Sequence, residues 1–155
     1  MSNNLVLIDT SVWILALRKS YIPLAKEKVE YLLDREEAAT TPMVSLELLG
    51  GVKSEREFSR LKSRLDALPQ IPIGQAEWAQ AARFAFQLRR AGKNIPYTDI
   101  LIGSAAILAD VPLLHADRHF DLMAEDTKLT VESLVSICLA FSIIDLYNER
   151  QMRCK

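Results

Sequence analysis

The chain has 155 residues, of which 50% are hydrophobic, and this is enough for one compact domain with a buried core. Its formal net charge of −1 argues against a protein that binds nucleic acid through overall positive charge, although it does not exclude a nuclease. The two cysteines, Cys138 and Cys154, are too few for a disulfide framework, and no apolar run approaches the roughly 18 residues of a membrane span. We therefore expect a cytoplasmic protein with reduced thiols and no signal peptide.

The first part of the chain predicts strands that alternate with helices. Leu5–Ile8 is a short apolar run that ends at Asp9, which is the pattern of a buried parallel strand. Helical patterns follow at Ser11–Arg18 and at Leu24–Arg35, where apolar residues recur at amphipathic spacing. Ala38–Thr41 is a possible second strand.

The rest of the chain continues this alternation. Thr41 is placed to cap a helix over Pro42–Leu49, with proline at its first position. Ile71–Ile73 is a possible third strand, which Pro72 restricts to the edge of a sheet. The other predicted elements are helices at Ser54–Leu68, Gln75–Ala91, Thr98–Ala109 and Arg118–Glu125, and a fourth strand at Val111–His115.

These alternating elements predict an α/β fold, namely a three-layer sandwich with a central, mainly parallel sheet of about four or five strands flanked by helices. We expect one domain over residues 1–135, followed by an apolar helical tail over residues 136–155. The pattern over Ser133–Tyr147 places apolar residues on every face of this helix. Such a helix is buried in the same domain or covered by another subunit or partner.

Four acidic residues lie inside or at the end of apolar segments: Asp9, Glu47, Asp99 and Asp117. A buried carboxylate is costly without a cation, and several collected together repel one another. Asp9 and Asp117 follow predicted strands, Asp99 begins a helix, and Glu47 lies about two turns into a helix after a strand. Ligands of open parallel sheets bind at the carboxyl ends of strands, so the four side chains can converge there. Each acid alone has an ordinary explanation as a turn or surface residue.

Carboxylate oxygens without a nearby cysteine favour Mg²⁺ or Mn²⁺ over zinc. Such a site supports metal-assisted phosphoryl displacement, in which the protein needs no nucleophile of its own. Two alternatives stay open. One is a phosphohydrolase with Asp9 as nucleophile, although Ser11 stands where that chemistry usually has a second acid. The other is a receiver-like or scaffold α/β domain whose acidic pocket binds a metal or partner without catalysis.

The motifs around the four acids resemble those of a known family. They are DTSVW at 9–13, VSLELLGG around Glu47, DILIGSAA from Asp99 and LLHADRHF around Asp117. In this order they resemble the PIN domain, specifically the VapC-type toxins of bacterial toxin–antitoxin pairs, from Leu5 to about Leu134. Each motif alone is weak, but the ordered set is fairly specific.

This resemblance implies a Mg²⁺-dependent (or Mn²⁺-dependent) endoribonuclease that cleaves structured RNA such as tRNA or ribosomal RNA. It implies that Asp9, Asp99 and Asp117 bind the metal, and that Glu47 binds it or orients the attacking water. It also implies a homodimer, neutralised by a cognate VapB-type antitoxin whose tail occupies the acidic groove. His115 stands where relatives often have a small hydroxyl residue, and the apolar tail departs from the usual ending of the family.

Other residues near the acids are candidates for supporting roles: Ser11, Thr10, Thr98, His115 and Asp121. Thr10 and Ser11 could hydrogen-bond a metal-bound water or cap the following helix. Asp121 lies one helical turn beyond Asp117 and could extend the acidic site. The two histidines beside Asp117 could form a transition-metal site with it, but we expect His119 to face solvent.

The candidates for contact with RNA are Arg89, Arg90, Lys93, Arg118 and Tyr97. The cationic side chains would meet phosphates and make binding salt-dependent, whereas a solvated helix face is their ordinary alternative. Tyr97 could stack on a base, and we expect Trp13 and Trp78 to lie in the core.

Overall fold

The computed structural model describes residues 4–140, in which short strands alternate with helices. The strands are β1 (Val6–Ile8), β2 (Ala38–Ala39), β3 (Leu113–His115) and β4 (Val131–Ser133). The helices are α1 (Thr10–Leu17), α2 (Pro23–Asp34), α3 (Pro42–Gly50), α4 (Glu55–Asp66), α5 (Gln75–Arg90), α6 (Tyr97–Ala109) and α7 (Arg118–Asp126). Residues 135–140 are also helical.

The strands form one sheet in the order β2-β1-β3-β4, and every neighbouring pair is parallel. The chain moves from β1 to β2 on one side and then crosses to β3 on the other, so the strand order reverses between β1 and β3. Right-handed connections put α1 and α2 on one face of the sheet and the later helices on the other. This arrangement confirms the predicted α/β sandwich and its parallel sheet.

The two central strands are buried from both sides. Leu7 and Ile8 of β1 and Leu113 and Leu114 of β3 have no exposed surface. Strands covered by helices on both faces read as continuous apolar runs, which explains why these segments were recognisable in the sequence. Ile102 in the middle of α6 is fully buried as well, so this helix also lies in the core.

Helices α6 and α7 approach each other closely at Gly103. A Cβ atom built on this glycine would lie 2.6 Å from Met123 Sδ, much closer than side chains pack. The missing side chain therefore allows the approach of two helices that begin beside candidate acids, α6 at Asp99 and α7 directly after Asp117.

The predicted third strand at Ile71–Ile73 is wrong. The chain there makes one isolated bridge, between Thr40 and Gln70, and Ile71 N donates to Thr40 O at 2.8 Å. Pro72 has no N–H to continue a ladder, so the pairing stops after this bridge.

Strand β4 was not predicted, because its three residues, Val-Glu-Ser, contain no apolar run. Val131 is half-buried, and the two residues after it are exposed. Its pairing with β3 supplies the fourth strand that the predicted sheet required.

Two further expectations differ from the structure. The predicted tail helix began at Ser133, which instead ends β4, and the part of that segment beyond residue 140 lies outside the described residues. Thr41 occupies the cap position of α3, but its side chain makes no capping hydrogen bond and is buried. Within residues 4–140, the helices are too short or too polar to cross a bilayer.

We predict that Gly103→Leu lowers the free energy of unfolding by about 1 to 3 kcal/mol, because the new side chain must displace Met123. The matched control is Gly50→Leu at the exposed end of α3, where an added Cβ meets nothing within 4 Å. Urea denaturation should show a stability equal to or above the wild type for the control. Equal stability of the two variants would show that the helix contact is not tightly packed.

Candidate metal centre

Two of the four acids are held by the backbone at the point where the strand order reverses. Asp9 follows β1 and caps α1, and its Oδ2 accepts a hydrogen bond of 2.9 Å from Ser11 N. Asp117 follows β3 and caps α7, and its Oδ1 accepts one of 2.9 Å from His119 N. Capping fixes both carboxylates at the ends of neighbouring strands, which is where parallel sheets bind ligands.

The other two acids come from α6 and α3. Asp99 is the third residue of α6 and is mostly buried. Glu47 lies on α3, and its Oε2 accepts a hydrogen bond from the Thr10 hydroxyl at the start of α1. Thr10 thus connects Glu47 to the residue that follows Asp9.

The charges that act on Asp99 indicate that Asp9, Glu47 and Asp117 lie near it. Burial is the largest cause that raises the pKa of Asp99, followed by the negative charges of Asp117 and Asp9, with a smaller contribution from Glu47. Nearby His119 opposes these effects, and the resulting pKa is about 7. The pKa of Asp9 is also raised, first by burial and then by Glu47, against hydrogen bonds from Ser11 that lower it. Such mutual effects require the acids to be close together.

His119 completes a compact set of ligand atoms with Asp99 and Asp117. One ligand atom from each residue lies within 4.8 Å of the others. His119 Nδ1 is 2.8 Å from Asp117 Oδ1 and 3.3 Å from Asp99 Oδ2. The expectation that His119 faces solvent is wrong, because 33% of its side chain is exposed and the ring turns toward the acids. The signal that could have found His119 is its position two residues after Asp117, where its backbone amide donates to the capping carboxylate.

This set of side chains fits a divalent cation. His119 Nδ1 is buried and has no aligned hydrogen-bond partner within residues 4–140, although two carboxylate oxygens lie beside it. A shared cation would satisfy this nitrogen and neutralise the repelling acids at the same time. The carboxylates suit Mg²⁺ or Mn²⁺, whereas an imidazole ligand shifts the preference toward transition metals.

Ser11 joins the ends of the two central strands. Its hydroxyl donates to Asp9 Oδ2 and accepts a 3.0 Å hydrogen bond from Ala116 N, the residue before Asp117. Ser11 therefore fixes the position of Asp9 relative to the end of β3. The expectation that Thr10 or Ser11 caps the following helix is wrong, because Asp9 caps α1 and both hydroxyls donate to candidate acids instead.

His115 lies behind Asp117 and is fully buried. Its Nδ1 accepts a 3.3 Å hydrogen bond from Asp117 N, and its Nε2 lies 3.3 Å from Asp121 Oδ1. Burial lowers the pKa of His115, which keeps the ring neutral and its Nδ1 free to accept. Asp121 also accepts a 3.1 Å hydrogen bond from Ser133 of β4, so it contacts His115 and the sheet. Thr98 is exposed at the start of α6, outside these contacts.

The candidates for RNA contact differ in the side chains that surround them. Arg89 lies against Tyr97: its Nη2 donates to the tyrosine oxygen at 3.3 Å, and its guanidinium carbon is 5.9 Å from the ring centre. Arg118 is exposed directly after Asp117, while Arg90 lies 5.5 Å from the ring of Phe86.

Lys93 is not a free cation. Its Nζ lies 2.6 Å from Glu125 and 2.7 Å from Asp126, and it donates to the Leu122 carbonyl at 2.9 Å. These partners raise the pKa of Lys93, with Asp126 the largest cause. Its charge is therefore matched within the protein, and Lys93 links the end of α5 to α7.

The two tryptophans behave differently. Trp13 is buried in the core as expected. Trp78 is 59% exposed, so its expected place in the core is wrong. It lines an open, mainly apolar pocket with other residues of α5 and α6, namely Ala81, Ala82, Ala85, Tyr97 and Ile100.

Comparison with known proteins places this site in a family. The PIN domain family model matches residues 6–126. The chain is 31% identical over 134 residues to a VapC ribonuclease of Mycobacterium bovis and to ribonuclease VapC11 of Mycobacterium tuberculosis, covering 83% of this chain and 98% of each relative. It is 30% identical over 124 residues to ribonuclease VapC51 of Mycobacterium tuberculosis, covering 78% of this chain and 86% of that relative.

Solved structures show the same fold. The chain is similar to the DNA-bound VapBC structure of Salmonella typhimurium, with a TM-score of 0.68, 16% identity and coverage of 83% of this chain and 97% of that one. It is also similar to VapBC2 of Rickettsia felis bound to a promoter DNA fragment, with a TM-score of 0.66, 21% identity and coverage of 83% and 98%.

We predict that Asp99→Asn stabilises the metal-free protein more at pH 8 than at pH 5. The folded-state pKa of about 7 lies above the ordinary value of 3.8, so the wild-type protein loses stability as pH rises through this interval. The effect is on the order of 2 kcal/mol after allowance for partial exposure. Thermal melting measured with chelator at both pH values checks this, and millimolar Mg²⁺ should shrink the difference at pH 8.

The control for this experiment is Asp34→Asn, which removes an exposed carboxylate at the end of α2. The difference in melting temperature between Asp34→Asn and the wild type should be the same at pH 5 and pH 8. If Asp99→Asn behaves in the same way, or if Mg²⁺ leaves its difference unchanged, the acids do not share a cation site.

We predict that Ser11→Ala lowers the free energy of unfolding by about 1 to 3 kcal/mol, since it leaves the Ala116 N–H without a partner and removes one of the two hydrogen bonds that Ser11 donates to Asp9. Ser59→Ala on the exposed face of α4 is the control and should stay within about 0.5 kcal/mol of the wild type. Urea denaturation distinguishes the two. A Ser11→Ala protein as stable as the control would mean that this bridge contributes nothing.

Proposed function

We propose a function from one established premise: the chain belongs to the PIN domain family. We infer that it is a metal-dependent endoribonuclease and the toxin of a VapC-type toxin–antitoxin pair. The observation that carries this inference is the convergence of Asp99, Asp117 and His119 within 4.8 Å, beside Asp9 and Glu47. Similarity to a VapC ribonuclease and to ribonuclease VapC11 supports RNA as the substrate.

Asp9, Asp99 and Asp117 would hold the cation, with His119 and Glu47 as additional ligands. A divalent cation at this position lowers the pKa of a water molecule and stabilises charge in an in-line phosphoryl displacement. The acids are preorganised for this role because Asp9 and Asp117 are fixed by backbone amides at helix starts.

Glu47 would bind the cation directly or orient the attacking water. Thr10 holds one of its carboxylate oxygens, so the carboxylate keeps a fixed direction while the other oxygen can accept a hydrogen bond. No protein nucleophile is required by this chemistry. Asp9, the nucleophile of a phosphohydrolase reading, has its Oδ2 occupied by both the amide and the hydroxyl of Ser11.

Structured RNA such as tRNA or ribosomal RNA is the substrate class that we propose. The net charge of −1 means that the RNA backbone must be met locally, and the exposed Arg118 next to Asp117 is suited to a phosphate. Cleavage should accordingly weaken with added salt.

We also propose a cognate VapB-type antitoxin as partner and a homodimer as the assembly, in the cytoplasm. Structural neighbours of this chain are VapBC toxin–antitoxin proteins, and this similarity supports the antitoxin. An acidic groove of this kind would attract a cationic segment of the partner.

We predict that Asp9→Asn and Asp99→Asn each reduce RNA cleavage by at least about 100-fold while the protein stays folded, because asparagine cannot supply the negative charge that the cation needs. Wild-type cleavage of total tRNA should require Mg²⁺ or Mn²⁺ and stop with EDTA. Asp34→Asn, with its exposed position on α2, should cleave like the wild type.

An active, metal-supported Asp99→Asn protein would overturn the assignment of the site. Turnover of a generic phosphomonoester without RNA cleavage would instead favour the phosphohydrolase. Metal binding without turnover of either substrate would favour a scaffold domain.

A further inference from the structure

An open pocket of about 300 Å³ lies directly beside the acidic cluster. It is lined by Arg89, Asn94, Ile95, Pro96, Tyr97 and His119. The loop between α5 and α6 forms one side of it, and α6 begins at its edge. The pocket thus combines an aromatic ring, a guanidinium group and an amide on a short stretch of chain.

The ring of Tyr97 stands in solvent in a fixed orientation. Its residue is 66% exposed, at the first position of α6. Its oxygen accepts a 3.3 Å hydrogen bond from Arg89, whose guanidinium carbon is 5.9 Å from the ring centre. An exposed aromatic ring that is oriented by an arginine offers a flat face on which another planar group can stack.

His119 connects this pocket to the acids. The same imidazole that lines the pocket has its Nδ1 2.8 Å from Asp117 Oδ1 and 3.3 Å from Asp99 Oδ2. Tyr97 precedes Asp99 by two residues on α6. A group bound in the pocket would therefore be separated from the carboxylates by the side chain of His119 alone. A base and the phosphodiester bond next to it in one nucleic-acid strand could occupy the pocket and the acidic cluster at the same time.

The chemistry of the pocket favours a nucleobase over a phosphate. Arg89 is the one arginine or lysine that lines the pocket, and its guanidinium already donates to Tyr97. A neutral base could stack on Tyr97, while Asn94 offers an amide donor and acceptor to its edge. The base must be unpaired, because stacking on a side chain and contact with its edge both require it to leave a duplex.

We propose that Tyr97, Arg89 and Asn94 form a subsite for the base of an unpaired nucleotide next to the phosphodiester bond that is cut. This subsite deepens the proposed ribonuclease function and rests on it. Tyr97 is its main binding residue.

The test begins with total tRNA, on which a cleavage site of the wild-type protein is mapped, and continues with a synthetic RNA that spans this site. Each nucleotide beside the cut is replaced in turn by an abasic one. For the wild type, we expect one such replacement to raise KM by roughly 5- to 150-fold, the range of a stacked base. Tyr97→Leu should raise KM for the intact RNA by a similar factor, leave kcat nearly unchanged, and lose its sensitivity to that replacement.

Two variants serve as controls. Tyr97→Phe keeps the ring but loses the hydrogen bond from Arg89, so its KM should lie between those of the wild type and of Tyr97→Leu. Tyr31→Leu removes a ring that is 54% exposed on α2 and lies 5.3 Å from the guanidinium of Arg35, so it matches Tyr97 in exposure and in its arginine partner. It should leave KM unchanged for every RNA.

The subsite is overturned if Tyr97→Leu cleaves RNA with a wild-type KM. It is also overturned if the abasic replacement raises KM equally for the wild type and for Tyr97→Leu. Absence of cleavage by the wild type would instead overturn the proposed function. In that case, the subsite is judged by fluorescence anisotropy of a labelled single-stranded RNA on Asp99→Asn with and without Tyr97→Leu. Weaker binding of the double variant supports the subsite, and equal binding overturns it.

Discussion

Acidic residues that raise one another's pKa lie near the carboxyl ends of the two central strands, and their mutual repulsion is the main physical constraint on this part of the fold. Burial and the neighbouring charges raise the pKa of Asp99 to about 7, far above its ordinary value of 3.8. Backbone amides at the starts of α1 and α7 offset part of this repulsion by binding Asp9 and Asp117 directly. A site that is unfavourable when empty of cations gains the most from binding one, so the same geometry that weakens the metal-free fold prepares it for a divalent ion.

The residues behind the acids hold them through contacts that connect separate elements. Ser11 joins Asp9 to the backbone at Ala116, and His115 joins Asp117 to Asp121. Most of these supports are neutral side chains, which orient a carboxylate without neutralising it. The charge of the site is therefore left for a cation, and the close approach of α6 to α7 at Gly103 keeps the acids at a fixed separation.

His119 lies between the acidic cluster and the pocket that Tyr97 and Arg89 line. One side of its ring faces the acids, and the ring also lines the pocket of Tyr97 and Arg89. Lys93, one of the cations that the sequence predicted for contact with RNA, is instead matched by two carboxylates on α7. Contact with RNA in this region would then depend on stacking and planar groups more than on net positive charge, in keeping with a chain whose formal charge is −1.

Features that depend on neighbouring residues in the chain could be predicted from the sequence alone. The apolar runs of β1 and β3 and the helical pattern of α6 were recognisable, and the positions of Asp9, Asp99 and Asp117 at the ends and starts of these elements followed from them. Contacts between residues that are distant in the chain could be identified from the tertiary structure alone. It pairs β4, a segment without an apolar run, with β3, it turns His119 toward Asp99, and it places Lys93 against Glu125, 32 residues away. The physical reason is that periodicity records which face of an element is buried, whereas a contact between side chains depends on how closely two packed elements approach.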